Sequence, residues 1–301
     1  MIADSLGMMI QPIFSQYVLQ GSVVLLGMIL CTLQIYMDFS GSVDIAIGSA
    51  RLFGIQLPEN FRQPFFAENA SDFWRRWHIT LGHFFKDYIF YPVSLNKQVQ
   101  KFSKRVRKYC GKGIARFVSP TIALFLVWIA NGLWHGPQLT YLLYGMYYFV
   151  LIFFELILEK PMDALFKRRN WNKNSLFWKT LRWVKLMIIV CLGETLFLVG
   201  SFSLTKSLVG SVIKRFSFSD VLVFLNESSV SWIQWLGVLA ALMLVITYNV
   251  LREKNWPMEE RWNKLPWVQR WILVYALIIF VVIFAGYGPG FDAVAMMYAG
   301  F

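Results

Sequence analysis

Charge is what this 301-residue chain has least of: 15% of its residues are Asp, Glu, Lys or Arg, while 57% are hydrophobic. A soluble domain carries about 25% charged residues. With a mean hydropathy of +0.51, the chain is expected to be an integral membrane protein. Cysteine is scarce as well. Cys31, Cys110 and Cys191 are isolated and odd in number, which excludes a disulfide framework and a cysteine metal site. Only His78, His83 and His135 could add imidazole ligands, and none stands at metal-ligand spacing, so no metal is expected. The opening MIADSLGMMIQP has no basic residue, so the charged start of a secretory signal is missing. The net charge of +12 does not point to nucleic acid, and no nucleic-acid partner is expected. The cations flank apolar runs, as they do in cytoplasmic loops of membrane proteins.

The longest stretch without any charge runs from Phe117 to Phe154. As one helix it would extend roughly 57 Å, nearly twice the hydrocarbon core of a bilayer. It must therefore fold back. Gly132, Gly136 and Pro137 loosen or stop a helix at its centre, and His135 stands in that break. An ionisable side chain in an otherwise uncharged span is costly and marks a candidate functional site. Asn131, one turn earlier, and the adjacent Trp134 could shape a pocket or hold the imidazole tautomer. No nucleophile elbow, Ser-His-Asp set or phosphate-binding loop occurs. The chemistry this inventory suits is direct transfer, in which His135 takes a proton from a hydroxyl as it attacks an activated acyl group. A structural hydrogen bond is the competing role for a buried histidine.

About six spans are expected: 17–37, two around His135, 186–202 with Glu194 inside it, 230–251 and 271–291. Asp38 and Asp44 follow the first span among small residues (Ser40, Gly41, Ser42, Gly48) that permit close approach. They suit helix capping or substrate binding. The segment 57–71 reads as an irregular loop. The next helix, DFWRRWHITLGHFFKDYIFYP, mixes aromatics with Arg75, Arg76, Lys86 and Asp87, as an interfacial or re-entrant element does. In it Trp74 and His78 share a face. The forked guanidinium groups of Arg75 and Arg76 suit phosphates, or anchor at headgroups. Residues 96–116 hold eight cations and no acid, and are read as a loop against an anionic leaflet or as an attraction for an acidic carrier. The basic loops near 105, 172 and 260 are placed in the cytoplasm. No internal repeat is evident, and residues 1–301 are taken as one membrane-embedded domain.

Three stretches in order, YMDFSGSVDIAIGSARLFGIQLPENFRQPF, DFWRRWHITLGHFFKDYIFYP and NGLWHG, resemble the membrane-bound O-acyltransferases. The likeness is to the branch that holds bacterial alginate O-acetylation and teichoic-acid D-alanyl transfer proteins. It implies an all-α polytopic fold, a ring of transmembrane helices around a funnel with interfacial helices beside it, in the bacterial plasma membrane. It also implies His135, of the WHG motif, as the catalytic residue and His78, of the RRWH motif, as the second. Trp74, Arg75, Arg76, Asn131, Trp134, Asp38 and Asp44 are the candidate substrate-binding residues. The implied donor is an acyl thioester on coenzyme A or a carrier protein, with no cofactor bound. The implied acceptor is a hydroxyl of a surface polysaccharide or teichoic acid, or a partner protein outside the cytoplasm. Acetyl and D-alanyl groups fit equally. Relatives of this kind have further spans upstream of the region matching Met1. A channel, a scaffold or an inactive fragment of such an enzyme is the alternative.

Overall fold

A computed structural model describes residues 2–228 and 230–284. In chain order the helices are α1 (Ile2–Gln16), α2 (Gly21–Leu52), α3 (Ala70–Arg76), α4 (Ile79–Phe85), α5 (Tyr91–Leu95), α6 (Lys97–Trp134) and α7 (Leu139–Arg168). They continue as α8 (Leu176–Val199), α9 (Phe202–Lys214), α10 (Phe218–Glu227), α11 (Trp232–Glu253), α12 (Met258–Lys264) and α13 (Trp267–Phe284). Among the described residues the only β-type pairing is an isolated bridge between Phe61 and Trp77. The protein is an all-α polytopic membrane protein, as its composition implies.

Five of the described helices are long and apolar enough to cross a membrane: α2, α6, α7, α11 and α13. The sequence leads to about six. The missing one, 186–202, is helical as the second half of α8, which Gly200 ends in the left-handed region at φ 62°. With Arg182, Lys185 and Glu194 in its last 18 residues, α8 carries more charge than the apolar stretches of those five. The part of the last span expected beyond residue 284 lies outside the described residues. The first span differs too. α2 does not stop near Met37 but continues to Leu52, so Asp38 and Asp44 lie within a helix and not at its end. The Ser40 and Ser42 hydroxyls donate back to the carbonyls of Tyr36 and Asp38, at 2.6 and 2.7 Å, which turns residues that often end helices into helix-compatible ones. A Cβ on Gly41 or Gly48 would meet no described residue within 4 Å, so no described helix packs closely against them.

The helices group into two compact units, Met1–Ser49 with Ser203–Phe301, and Ala50–Phe202. In the first, the Gly21 amide donates to the Arg215 carbonyl at 3.0 Å, and the Ser211 hydroxyl to that of Val18 at 2.6 Å. The Asn249 amide joins α11 to α2 by donating to the Tyr36 hydroxyl at 3.4 Å.

The second unit is built on α6 and α7. α6 contains one non-helical residue, Gly111, at φ 79° and ψ 172°. The Ser103 hydroxyl donates to the Ala115 carbonyl at 2.9 Å, although in a straight helix twelve residues are about 18 Å apart. The chain therefore reverses at Gly111. The basic segment expected to be a loop is a helical hairpin, whose second arm is the span itself. That span ends where the sequence places the break: α6 stops at Trp134, Gly136 adopts φ 132°, and α7 starts at Leu139. Gly132 has another role than loosening the backbone. It is helical, and a Cβ there would lie 2.6 Å from the Tyr141 carbonyl oxygen. A Cβ on Gly145 would fall on the Trp128 carbonyl in the same way. Each glycine lets one backbone touch the other, and the Trp128 and Tyr148 rings stack beside them at 5.4 Å.

Gly145→Ala is expected to lower the thermal midpoint in detergent, an overpacking penalty of about 1–3 kcal/mol. Gly113→Ala, where a Cβ meets nothing within 4 Å, is expected to leave the midpoint unchanged or higher.

Candidate active site

The site begins with a short helix held at both ends. Asn69 caps α3 by accepting the Asp72 amide at 2.8 Å. The two preceding amides belong to a residue of another helix. Glu155 of α7 accepts the Ala70 N–H at 2.9 Å, the Ser71 N–H at 3.0 Å and the Ser71 hydroxyl at 3.1 Å. A carboxylate there satisfies open amides and meets the positive end of the helix dipole. Past α3, Trp77 is extended and packs edge-on to Phe61, with ring centroids 5.1 Å apart. His78 then takes φ 48° and ψ 55°, a left-handed conformation that is strained for any residue but glycine.

Asn60 holds that strained turn. Its backbone carbonyl accepts the Ile79 N–H at 3.0 Å. Its side-chain oxygen accepts the Thr80 N–H at 3.0 Å and the Thr80 hydroxyl at 2.9 Å, and lies 3.2 Å from Nδ1 of His78. A peptide N–H only donates, so this Asn60 oxygen is an acceptor. Nδ1 of His78 must then carry the hydrogen, and the lone pair lies on Nε2. Burial pushes the His78 pKa down to about 4, which keeps the ring neutral.

His78, Trp74, Arg75 and Asn131 line one cavity of about 630 Å³, with His83, Lys86 and Trp128 also in its wall. A second cavity of about 350 Å³ shares Ser71, Arg75 and Ile152 with it and reaches Glu155 and Glu159 along α7. The two arginines separate. The Arg75 side chain is 72% exposed and lines both cavities, with Asp72 at 3.5 Å. Arg76 lines neither. It donates to Asp72 at 3.1 Å and to the Gln63 carbonyl at 3.4 Å, fastening the 60–67 loop to α3.

His135 caps the C-terminal end of α6 and is buried. Its ring meets Trp134 and Phe197, each with centroids 4.8 Å away, then Tyr141 at 5.9 Å and Tyr144 at 6.1 Å. It does not line the cavity. The Trp134 ring links it to His78, whose centroid lies 5.5 Å from the indole. Behind His135, the Tyr144 hydroxyl donates to the buried Glu194 at 3.0 Å, so the acid inside the fourth expected span is paired. Asp38 and Asp44 belong to the other compact unit, on α2.

Residues 4–106 match the sequence profile described as "MBOAT, membrane-bound O-acyltransferase family". This segment belongs to the membrane-bound O-acyltransferases. It carries Asp38, Asp44, Trp74, Arg75, Arg76 and His78, and ends before Asn131, Trp134 and His135. Beyond it the likeness to individual membrane-bound O-acyltransferases continues. The chain is 30% identical over 227 residues to "Probable alginate O-acetylase AlgI" of Pseudomonas syringae pv. tomato, covering 75% of this chain and 37% of that protein. It is 31% identical over 159 residues to "Teichoic acid D-alanyltransferase" of Bacillus subtilis, covering 53% of this chain and 35% of that one. It is 39% identical over 113 residues to "Peptidoglycan O-acetyltransferase" of Helicobacter pylori, covering 38% of this chain and 18% of that one. The chain thus spans well under half the length of these relatives. An alignment over 75% of a 301-residue chain must contain its middle, His78 and His135 included.

Asn60 and Glu155 are not among the residues expected from sequence. Asn60 lies in a stretch that reads as an irregular loop. Glu155 carried a usable signal, since it is the first charge after the uncharged run that ends at Phe154. Asn60→Ala is expected to cost about 1–3 kcal/mol, because it strips the acceptor from the Thr80 donors and from His78. The thermal midpoint measures the loss, and an unchanged midpoint would show that the strained turn holds without Asn60. Glu155→Ala is expected to cost about 1–2 kcal/mol as a lost cap, and Glu155→Gln, which keeps one acceptor oxygen, less. Proteolysis within 57–71 should speed up in the same order.

Proposed function

We propose that this chain is the histidine-bearing part of a membrane O-acyltransferase of the bacterial plasma membrane. It moves an acetyl or D-alanyl group from a thioester, on coenzyme A or a carrier protein, to a hydroxyl of a surface polysaccharide or teichoic acid. The observation that carries the reading is that one indole, Trp134, touches both the His78 and the His135 rings, and that His78 opens on a cavity of about 630 Å³. Such a volume suits a ligand of cofactor-arm size. The family of the segment 4–106 and the names of the relatives support the same chemistry.

In the proposed reaction the acceptor oxygen attacks the thioester carbonyl carbon. The His135 imidazole takes the hydroxyl proton, the carbon–sulfur bond breaks, and the proton passes to the departing thiolate. Neutral His78, with its Nδ1 hydrogen given to Asn60, accepts a hydrogen bond through Nε2 from a second, non-reacting hydroxyl of the acceptor or from an amide N–H of the donor. Arg75, at the junction of the two cavities, meets donor phosphate; Trp74 and Asn131 form the wall.

Membranes containing the His135→Ala variant, supplied with labelled acetyl-coenzyme A or a D-alanyl-charged carrier, should incorporate label at least about 100-fold more slowly than the parent. Insertion and thermal midpoint should stay close to the parent's. Equal incorporation by the variant would remove His135 from the chemistry. The better of the two donors identifies the group transferred.

A further inference from the structure

The basic stretch before the His135 span has a shape of its own. Residues 97–110 form the first arm of the hairpin that reverses at Gly111. Its inner face is half-buried Val99, Gln100, Ser103 and Val106. Gln100 and Ser103 tie it to the span, the amide donating to the Ser119 hydroxyl at 3.4 Å and the hydroxyl to the Ala115 carbonyl at 2.9 Å. The outer face presents Lys97, Lys101, Lys104, Arg105 and Lys108, all exposed. On the edge between these faces, Phe102 is 49% and Tyr109 77% exposed, seven residues apart and thus on one side of the helix. Residues 88–154 contain no Asp or Glu, so the segment cannot neutralise itself.

We infer that this arm binds anionic lipid headgroups of the leaflet where its span begins. Two features select lipid over an acidic protein. The first is depth. The arm is bonded to the span at Ala115 and Ser119, two residues either side of Phe117 where the uncharged run opens, a rise of about 3 Å each way. The cations are thereby held at headgroup level. The second is the aromatic edge beside them, which fits the boundary between headgroups and acyl chains. Arg116 belongs to the same layer, its guanidinium 4.4 Å from the Phe117 ring centroid.

The hairpin tip supplies its own probe site. Cys110 is exposed, Cys31 is buried, and replacing Cys191 with Ala leaves Cys110 as the accessible thiol. The full chain, labelled at Cys110 with a fluorophore, is reconstituted in phosphatidylcholine vesicles doped with nitroxide-bearing phosphatidylglycerol or nitroxide-bearing phosphatidylcholine. Quenching by the anionic lipid should exceed that by the zwitterionic lipid at least about twofold at low salt. The excess should vanish in 0.5 M salt, where the Debye length shrinks to about 4 Å. It should also vanish in the Lys101→Gln, Lys104→Gln, Arg105→Gln, Lys108→Gln variant, checked for helicity by circular dichroism. Equal quenching by the two lipids at low salt overturns the inference. So does a label that no lipid quenches and that is shielded only when an acidic carrier protein is added. The salt comparison needs no substitution in the arm, so the test survives a variant that fails to fold.

Discussion

Backbone amides cannot be left open inside a membrane, and the site rests on how two of them are closed. Ala70 and Ser71 begin a helix of seven residues, too short to be stable on its own. Glu155 reaches across from α7 and takes both N–H groups, so the start of the RRWH element is fixed to the helix that packs Tyr141 and Tyr144 around His135. Without that carboxylate both amides would need another acceptor. The same demand recurs about two turns later, where the left-handed His78 frees the groups that Asn60 takes up. Two polar side chains remote in sequence hold a break that helix propensity alone would not.

The opposing breaks are stabilised differently. At His78 the chain is strained and hydrogen-bonded into place. At His135 it turns through Gly136, which adopts φ 132° at little cost, and the surroundings are almost wholly aromatic. The α6–α7 pair below that turn is drawn together by Gly132 and Gly145, each accepting the other helix's backbone where a side chain would stand. The result is a rigid aromatic floor of Trp74, Trp128 and Tyr148 under a polar cavity rim.

Much of this was legible in the sequence. An uncharged run too long for one crossing, with Gly-Pro at its middle, dictates a fold-back, and His135 does sit at it. The likeness of the RRWH stretch likewise placed His78 in the site, and the structure seats it in the cavity wall with Trp74 and Arg75. What could not be read depends on tertiary partners. Arg75 and Arg76 look equivalent in a string, yet one lines the cavity and the other is occupied by Asp72 and Gln63. Asp38 and Asp44 look like the end of a span because Ser and Gly surround them, but α2 continues through them with the Ser40 and Ser42 hydroxyls bonded back into the helix. The hairpin at Gly111 was hidden by its charge, since a run of cations reads as a solvated loop whatever its backbone does.

The Asn60–His78 contact also sets the polarity of whatever docks beside it. With the ring's one hydrogen turned toward Asn60, the imidazole edge at the cavity is electron-rich, and it complements a molecule that arrives with a polarised O–H or N–H. A bare carbonyl or a phosphate oxygen would meet like against like there. The polarity of that edge is thus set from outside the cavity wall, by a loop asparagine.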